Sequence, residues 1–406
     1  MNDLSQKKLI IYIGLGIVLF GAGTLVTYFF LFRGIGAPAE PKEPEPVSEN
    51  IPGFPEAGPG IGKDPRFGGG NIQPGSDREI PIATGIRTRL FLVAELASLG
   101  TGLSRAEDKI YYFKKDGGEL DAFSFPAGTK EPLSTITIVS MVNAFWSPTR
   151  DRAIVSYLDG VVTKSFLFKG IGTSSVATLP VGIRSSAWSP TGSSLVYLTE
   201  KDGETALATA DSSGKNQKTI FRTPIRELAL SWPLSEKFAL QTNPSGVVPG
   251  YIFIFTRASG ELTRFLGPTN GLTSLWSPKG EKLLTGSTNA AGKSLSLAIH
   301  DSSGKEIFRP DLQTLPEKCS WAREEKVYCA VPRGIPQDAI LPDDYRRGEL
   351  NTNDRLVAID LKTKIVSGVF NDGGYDMADI VVTKDEKFIF FTDRITGKVW
   401  GLEVTQ

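Results

Sequence analysis

Five consecutive residues, Asp343-Asp344-Tyr345-Arg346-Arg347, carry the densest polar chemistry in the chain. A phenol between paired acids and paired arginines suits recognition of another protein, because tyrosine and arginine are enriched where proteins meet. The run lies in a long stretch from Pro332 to Asp354. Loops of that length are uncommon and often functional, although an insertion merely tolerated at a surface reads the same way. Asp343, Asp344 and Asp354 are oxygen donors, yet they do not follow a calcium-loop spacing, so no metal site is assigned. Cys319 and Cys329 flank Arg323-Glu324-Glu325. If Ala322 pairs with Lys326 across that turn, the two cysteines face each other in an antiparallel ladder, within reach of a disulfide. A bridge and two reduced, buried thiols both fit the sequence, and an oxidising exterior would favour the bridge.

Catalytic signatures are scarce. His300 is the single histidine, which removes any multi-histidine metal site. There is no Gly-x-Ser-x-Gly elbow, phosphate-binding loop or zinc signature. Asp159, Glu204, Asp376 and Asp379 are scattered acids, the last two just before a repeat start, where propeller loops face the central channel. A channel hydrolase or glycan-processing enzyme using such carboxylates is therefore the alternative reading. No catalytic residue and no cofactor is assigned, and the small-molecule ligand is unknown. Forty-five basic residues balance 45 acidic ones, so the chain lacks the charge that attracts nucleic acid.

The elements that must position these residues are repeats. Trp146, Trp188, Trp232, Trp276 and Trp321 are separated by 42, 44, 44 and 45 residues. Trp146-Ser-Pro-Thr-Arg, Trp188-Ser-Pro-Thr-Gly and Trp276-Ser-Pro-Lys-Gly each lead into a short apolar strand. Weaker copies begin at Trp232-Pro-Leu-Ser and Trp321-Ala-Arg-Glu. Two more lack the tryptophan, at Leu103-Ser-Arg and Val382-Thr-Lys. A period near 44 made of strands and turns is the length of one four-stranded propeller blade. Seven starts imply an all-β, seven-bladed propeller over residues 82–406, with six or eight blades as neighbouring solutions. The last unit is short, so residues 89–95 are expected to supply its missing strand and close the ring. The tryptophans are expected between neighbouring blades.

Ahead of the repeats, residues 9–32 carry no charge and as a helix would span about 36 Å, enough to cross a hydrocarbon core of roughly 30 Å. Lys7 and Lys8 precede the segment, which places residues 1–8 in the cytoplasm and the remainder outside. A cleaved signal peptide competes with this reading, but its apolar region would be too long, and Ala37-Pro38-Ala39 is a poor cleavage site. Residues 33–81, rich in Pro, Glu and Gly, read as a flexible linker.

Trp-Ser-Pro-x-Gly followed by a short apolar strand resembles the WD-like repeat of TolB-type bacterial β-propellers, over roughly residues 86–406. The aspartate usual in that family's motif is replaced here by Thr149, Thr191 and Lys279. The resemblance implies the fold and leaves partners open. An anchor followed by a propeller also resembles the first part of prolyl-oligopeptidase-like membrane peptidases, whose hydrolase domain would need residues beyond Gln406. Together these features give the expected function: a membrane-anchored, extracytoplasmic propeller that binds or scaffolds another protein of the bacterial cell envelope.

Overall fold

The computed structural model describes residues 72–73, 80–169 and 175–405. The anchor expected at 9–32, residues 1–8 before it and most of the 33–81 linker lie outside those residues. Among the described residues, no helix is long and apolar enough to cross a membrane.

Among the described residues there are seven four-stranded antiparallel sheets, six of them meanders of strands in chain order. Blade 1 comprises Ser98–Leu103, Lys109–Lys114, Leu120–Ser124 and Thr129–Ser134. Blade 2 comprises Met141–Trp146, Ala153–Asp159, Val162–Lys169 and Ser175–Thr178. Blade 3 uses Ile183–Trp188, Ser194–Lys201, Glu204–Asp211 and Lys218–Thr223, and blade 4 uses Leu228–Leu234, Lys237–Thr242, Pro249–Thr256 and Glu261–Asn270. Blade 5 is Thr273–Trp276, Lys282–Ser287, Ser296–Asp301 and Glu306–Phe308; blade 6 is Cys319–Arg323, Lys326–Pro332, Asp354–Asp360 and Ile365–Phe370. Blade 7 takes Met377–Val382, Phe388–Asp393 and Val399–Thr405 from the end of the chain, and its fourth strand, Arg87–Ala94, from the beginning. That strand runs antiparallel to Val399–Thr405 with Arg87 opposite Thr405, so the ring closes as expected and no blade is left short.

The repeat is built on one turn. Between the first and second strands the N–H of Ser104, Ser147, Ser189, Ser277 or Thr383 donates to the carbonyl five residues on, at 2.8–3.0 Å. Their hydroxyls are buried and bond within the turn, Ser189 and Ser277 accepting the N–H of Ser194 and Lys282. This explains Ser or Thr at five of the seven copies, with or without the tryptophan; the copies at Trp232 and Trp321 carry Pro233 and Ala322 there instead. The residue three positions on is left-handed in all five turns. It is Gly192 and Gly280 in two, but Glu107, Arg150 and Glu386 in the others, at φ 58–60°. A side chain there costs about 1 kcal/mol. Each of the three offsets it with ion pairs between blades: Arg150 to Glu107 at 2.7 Å, and Glu386 to Lys326 at 2.5 Å.

Between blades lie seven apolar clusters, and the five tryptophans fall one in each of five interfaces, from 1/2 to 5/6. The two remaining interfaces are filled by Phe91, Phe123, Phe125, Phe388 and Phe390, and by Phe370, Tyr375, Phe391 and Trp400. Trp146, Trp188 and Trp321 also donate their indole N–H to the first strand of the preceding blade, at Gly100, Phe145 and Leu275. Gly102 lacks a Cβ because Trp146 packs against that strand, and a side-chain carbon there would meet its indole, while on Gly100 it would meet Ala144.

Strand alternation sorts the connections. The turns within strand pairs one–two and three–four share one face, here the turn face. The two–three connections and the crossings between blades share the opposite loop face.

Candidate functional site

The stretch 332–354 is the two–three connection of blade 6 and so emerges on the loop face. It does not project. It lies across the loop-face ends of blades 4 to 7. Asp343 accepts the N–H of Gly246 at 2.7 Å, and Leu341 N–H reaches Gly292 O at 2.9 Å. Arg346 pairs with Glu317 at 2.8 Å, and Arg394 of blade 7 donates to Tyr345 O at 2.5 Å. Its own small core gathers Leu295, Leu315, Ile335, Leu341, Tyr345 and Leu350. Residues 72–73, read as linker, pair antiparallel with Ile335–Pro336 of this insertion. Pro81 accepts the N–H of Gly368 at 2.9 Å, so the propeller unit includes part of the segment read as linker.

A short helix, α1 (Asp343–Arg347), holds the five residues first singled out. Of the five, Tyr345 is buried at 5 % exposure. Helical geometry turns it inward while its charged neighbours face out. Asp344 accepts the N–H of Ile340 and pairs with Arg347 at 2.5 Å, and Arg347 also meets Glu349.

Beneath Tyr345 lies the most unusual group in the molecule. Lys318, from the turn entering blade 6, is 1 % exposed, and Asp354 and Asp376 are 0 % exposed. The Lys318 Nζ stands 2.8 Å from Asp354 Oδ2 and 2.6 Å from Asp376 Oδ1. It also donates to Thr352 Oγ1 at 3.0 Å and to the Tyr345 hydroxyl at 3.1 Å, and it sits 4.7 Å from the tyrosine ring centre. Asp376 further accepts the N–H and hydroxyl of Thr352, the Tyr345 hydroxyl and Arg394. Asp354 accepts the N–H of Met377 at 2.7 Å through Oδ2, while its Oδ1 is buried without a partner. Burial pulls the Lys318 ammonium down, but Asp354, Tyr345 and Asp376 outweigh it and hold the ammonium above its ordinary value. Two carboxylates face one ammonium, and burial pushes Asp354 upward. Burial also raises the Tyr345 phenol.

The other candidate acids do not converge. Asp159 pairs with Lys164 at an exposed hairpin, and Glu204 lies near Arg222 on the outer part of blade 3. Asp379 is open to solvent on the first strand of blade 7, where the first strands surround the axis, and burial within the ring raises its carboxyl. Among the described residues, no three His, Cys, Asp or Glu side chains are grouped to hold a metal ion. Asp343, Asp344 and Asp354 take three separate roles instead of sharing one.

Cys319 and Cys329 form a disulfide and are register partners. The turn differs from the expected one: Arg323 pairs with Lys326, and a bulge after Trp321 restores the cysteine register.

Exposed apolar residues mark a second region. Among the described residues 13 large hydrophobics are exposed, and eight of them belong to the span 139–181. Val139, Val142, Leu158, Val161, Val162 and Val181 all lie at the loop-face end of blade 2 or in the crossings that flank it, where Leu158 N–H bonds Ser140 O. Val161 is 98 % exposed. Neither this patch nor Lys318 was marked by the sequence. Isolated valines in strand-rich sequence do not reveal which face they take, and nothing local pairs Lys318 with residues one blade away.

No family model and no curated protein sequence matches the chain. Among solved structures, an oligogalacturonate lyase in complex with manganese is similar at TM-score 0.55 and 12 % identity, over 79 % of this chain and 98 % of that one. The tricorn protease gives 0.48 and 10 %, over 77 % of this chain and 34 % of its own. TolB from Acinetobacter baumannii gives 0.43 and 13 %, over 68 % and 64 %. The likeness to the lyase is one of fold. The chain is a seven-bladed β-propeller.

Proposed function

We infer that the chain is a binding propeller of the bacterial cell envelope, held to a membrane by residues 9–32 and docking another protein through the loop face of blade 2. The observation that carries this reading is the apolar cluster there. Exposed hydrophobics on soluble proteins are usually scattered, and concentrated ones mark interaction sites. The tether read from residues 33–81 gives the propeller reach, and a disulfide in blade 6 fits an oxidising compartment. The Trp-Ser-Pro-x-Gly turns support kinship with TolB-type propellers. The candidate acids support a catalytic reading less well: among the described residues Asp379 is the one acid on the first strands of the blades, and Asp354 and Asp376 are already engaged by Lys318.

Site-specific photocrosslinkers placed at Val142, Val161 or Val181 of the full chain in its native membrane test this. The expected result is one adduct of defined mass from these positions, absent from Arg347 and lost when Val139→Lys is added. No adduct from blade 2, or equal adducts from Arg347, would overturn it.

A further inference from the structure

The Lys318 cluster has the parts of a reaction centre facing inward. An amine and a carboxyl are held at 2.8 Å, with a second carboxylate 2.6 Å from the amine, in a place closed to water. We propose that Lys318 and Asp354 are the partners of an intramolecular amide crosslink, formed by condensation of the lysine amine with the aspartate carboxyl.

The two aspartates are built for different parts. Asp376 stands 2.6 Å from the Lys318 amine, where it can take a proton and pass it on, and its contacts with Thr352, Tyr345 and Arg394 make its carbon a poor electrophile. Asp354 Oδ2 is polarised by the N–H of Met377, in the position of an oxyanion donor. Its Oδ1 has no partner and is free to depart. In the step, Asp376 takes a proton from the Lys318 ammonium, and the freed amine forms the Nζ–Cγ bond to Asp354. The Cγ–Oδ1 bond then breaks. The two protons lost by nitrogen leave with Oδ1 as water, one of them through Asp376, which ends as it began. Ammonium and carboxylate become amide and water, charge is conserved, and nothing is oxidised or reduced.

Burial works toward the neutral pair that reacts: it lowers the Lys318 ammonium, against the pull of Asp354, Tyr345 and Asp376, and raises the Asp354 carboxyl. Fixed proximity replaces a bimolecular encounter. A cavity of about 10 Å³ lined by Lys318, Thr352, Leu315 and Tyr345 lies alongside, roughly the room one released water needs. The bond would join the turn entering blade 6 to its third strand, while Cys319–Cys329 joins its first strand to its second. Blade 6, which carries the insertion, would then be stapled twice.

The test is the mass of the full chain, denatured and reduced. The expected mass is one water below that of the sequence, and trypsin should leave Lys318 uncut in a peptide linked to the one containing Asp354. Lys318→Arg should regain the water, which separates this loss from dehydration at Asp-Gly sites. Asp354→Asn should crosslink with loss of ammonia in place of water. Asp376→Asn keeps both bonding partners and should slow crosslinking by about a hundredfold. A full-mass chain with tryptic cleavage after Lys318 would overturn the proposal. A water loss that persists in Lys318→Arg would do the same, and undiminished crosslinking in Asp376→Asn would remove the role given to that residue.

Discussion

The insertion over blades 4 to 7 and the loop face of blade 2 are opposites built on one scaffold. The insertion is long, charged and tyrosine-bearing, and it spends that chemistry on its own fold: Tyr345 is buried over Lys318, and both arginines, though exposed, are paired with neighbouring acids. Blade 2 has short connections and unremarked valines, and these stay open to solvent. Loop length and polar richness therefore do not measure availability. What matters is whether each group finds its partner within the fold, and the insertion's groups do.

Variants can break this contrast in order of effect. Lys318→Ala leaves two buried carboxylates without their cation and should cost about 3–5 kcal/mol, read by chemical unfolding. A loss below 1 kcal/mol would mean that the cluster is not closed to water. Tyr345→Ala removes the insertion's anchor and should cost roughly 3–4 kcal/mol, with faster amide exchange confined to 333–352. Reduction of Cys319–Cys329 should lower stability by about 2–3 kcal/mol, seen as a drop in melting temperature that Cys319→Ser reproduces. At the blade 6/7 turn, burial raises Glu386, but hydrogen bonds from Lys326, Tyr328 and Arg323 outweigh it and hold the carboxyl below its ordinary value. A lowered carboxyl stabilises the fold fully above about pH 4.5 and less as acid titrates it, so Glu386→Gln should lose about 1 kcal/mol at neutral pH and flatten the acid limb of the stability curve. On blade 2, Val161→Lys should change stability by less than about 0.5 kcal/mol while weakening partner docking in the crosslinking assay.

Much of the architecture was legible in the residues, because a repeat writes its geometry many times over. The Ser or Thr that closes five of the turns recurs even where the tryptophan does not, so blades 1 and 7 could be counted from Ser104 and Thr383. Closure by residues near 89 followed from a short last blade. The site was less legible. Asp354 and Asp376 were visible as acids, but their meeting at Lys318 depends on how blade 6 sits against blade 7, which no local pattern records. The burial of Tyr345 was not legible for a physical reason: in a five-residue helix one side faces in, and charges on either side of an aromatic do not say which. The cysteine pairing was reached through the wrong turn, since a bulge after Trp321 shifts the register by the residue that the tighter turn omits.

Hydrogen exchange on the full chain, comparing residues 340–350 with residues 158–162, tests the contrast most directly. An insertion locked onto four blades should protect the amides of Asp344, Arg346 and Gly348 to the level of the blade strands, while the Asp159-Gly160 hairpin tip exchanges rapidly. Equal, fast exchange in both segments would show the insertion to be free, and would contradict the inward role assigned to Tyr345 and to the cluster beneath it.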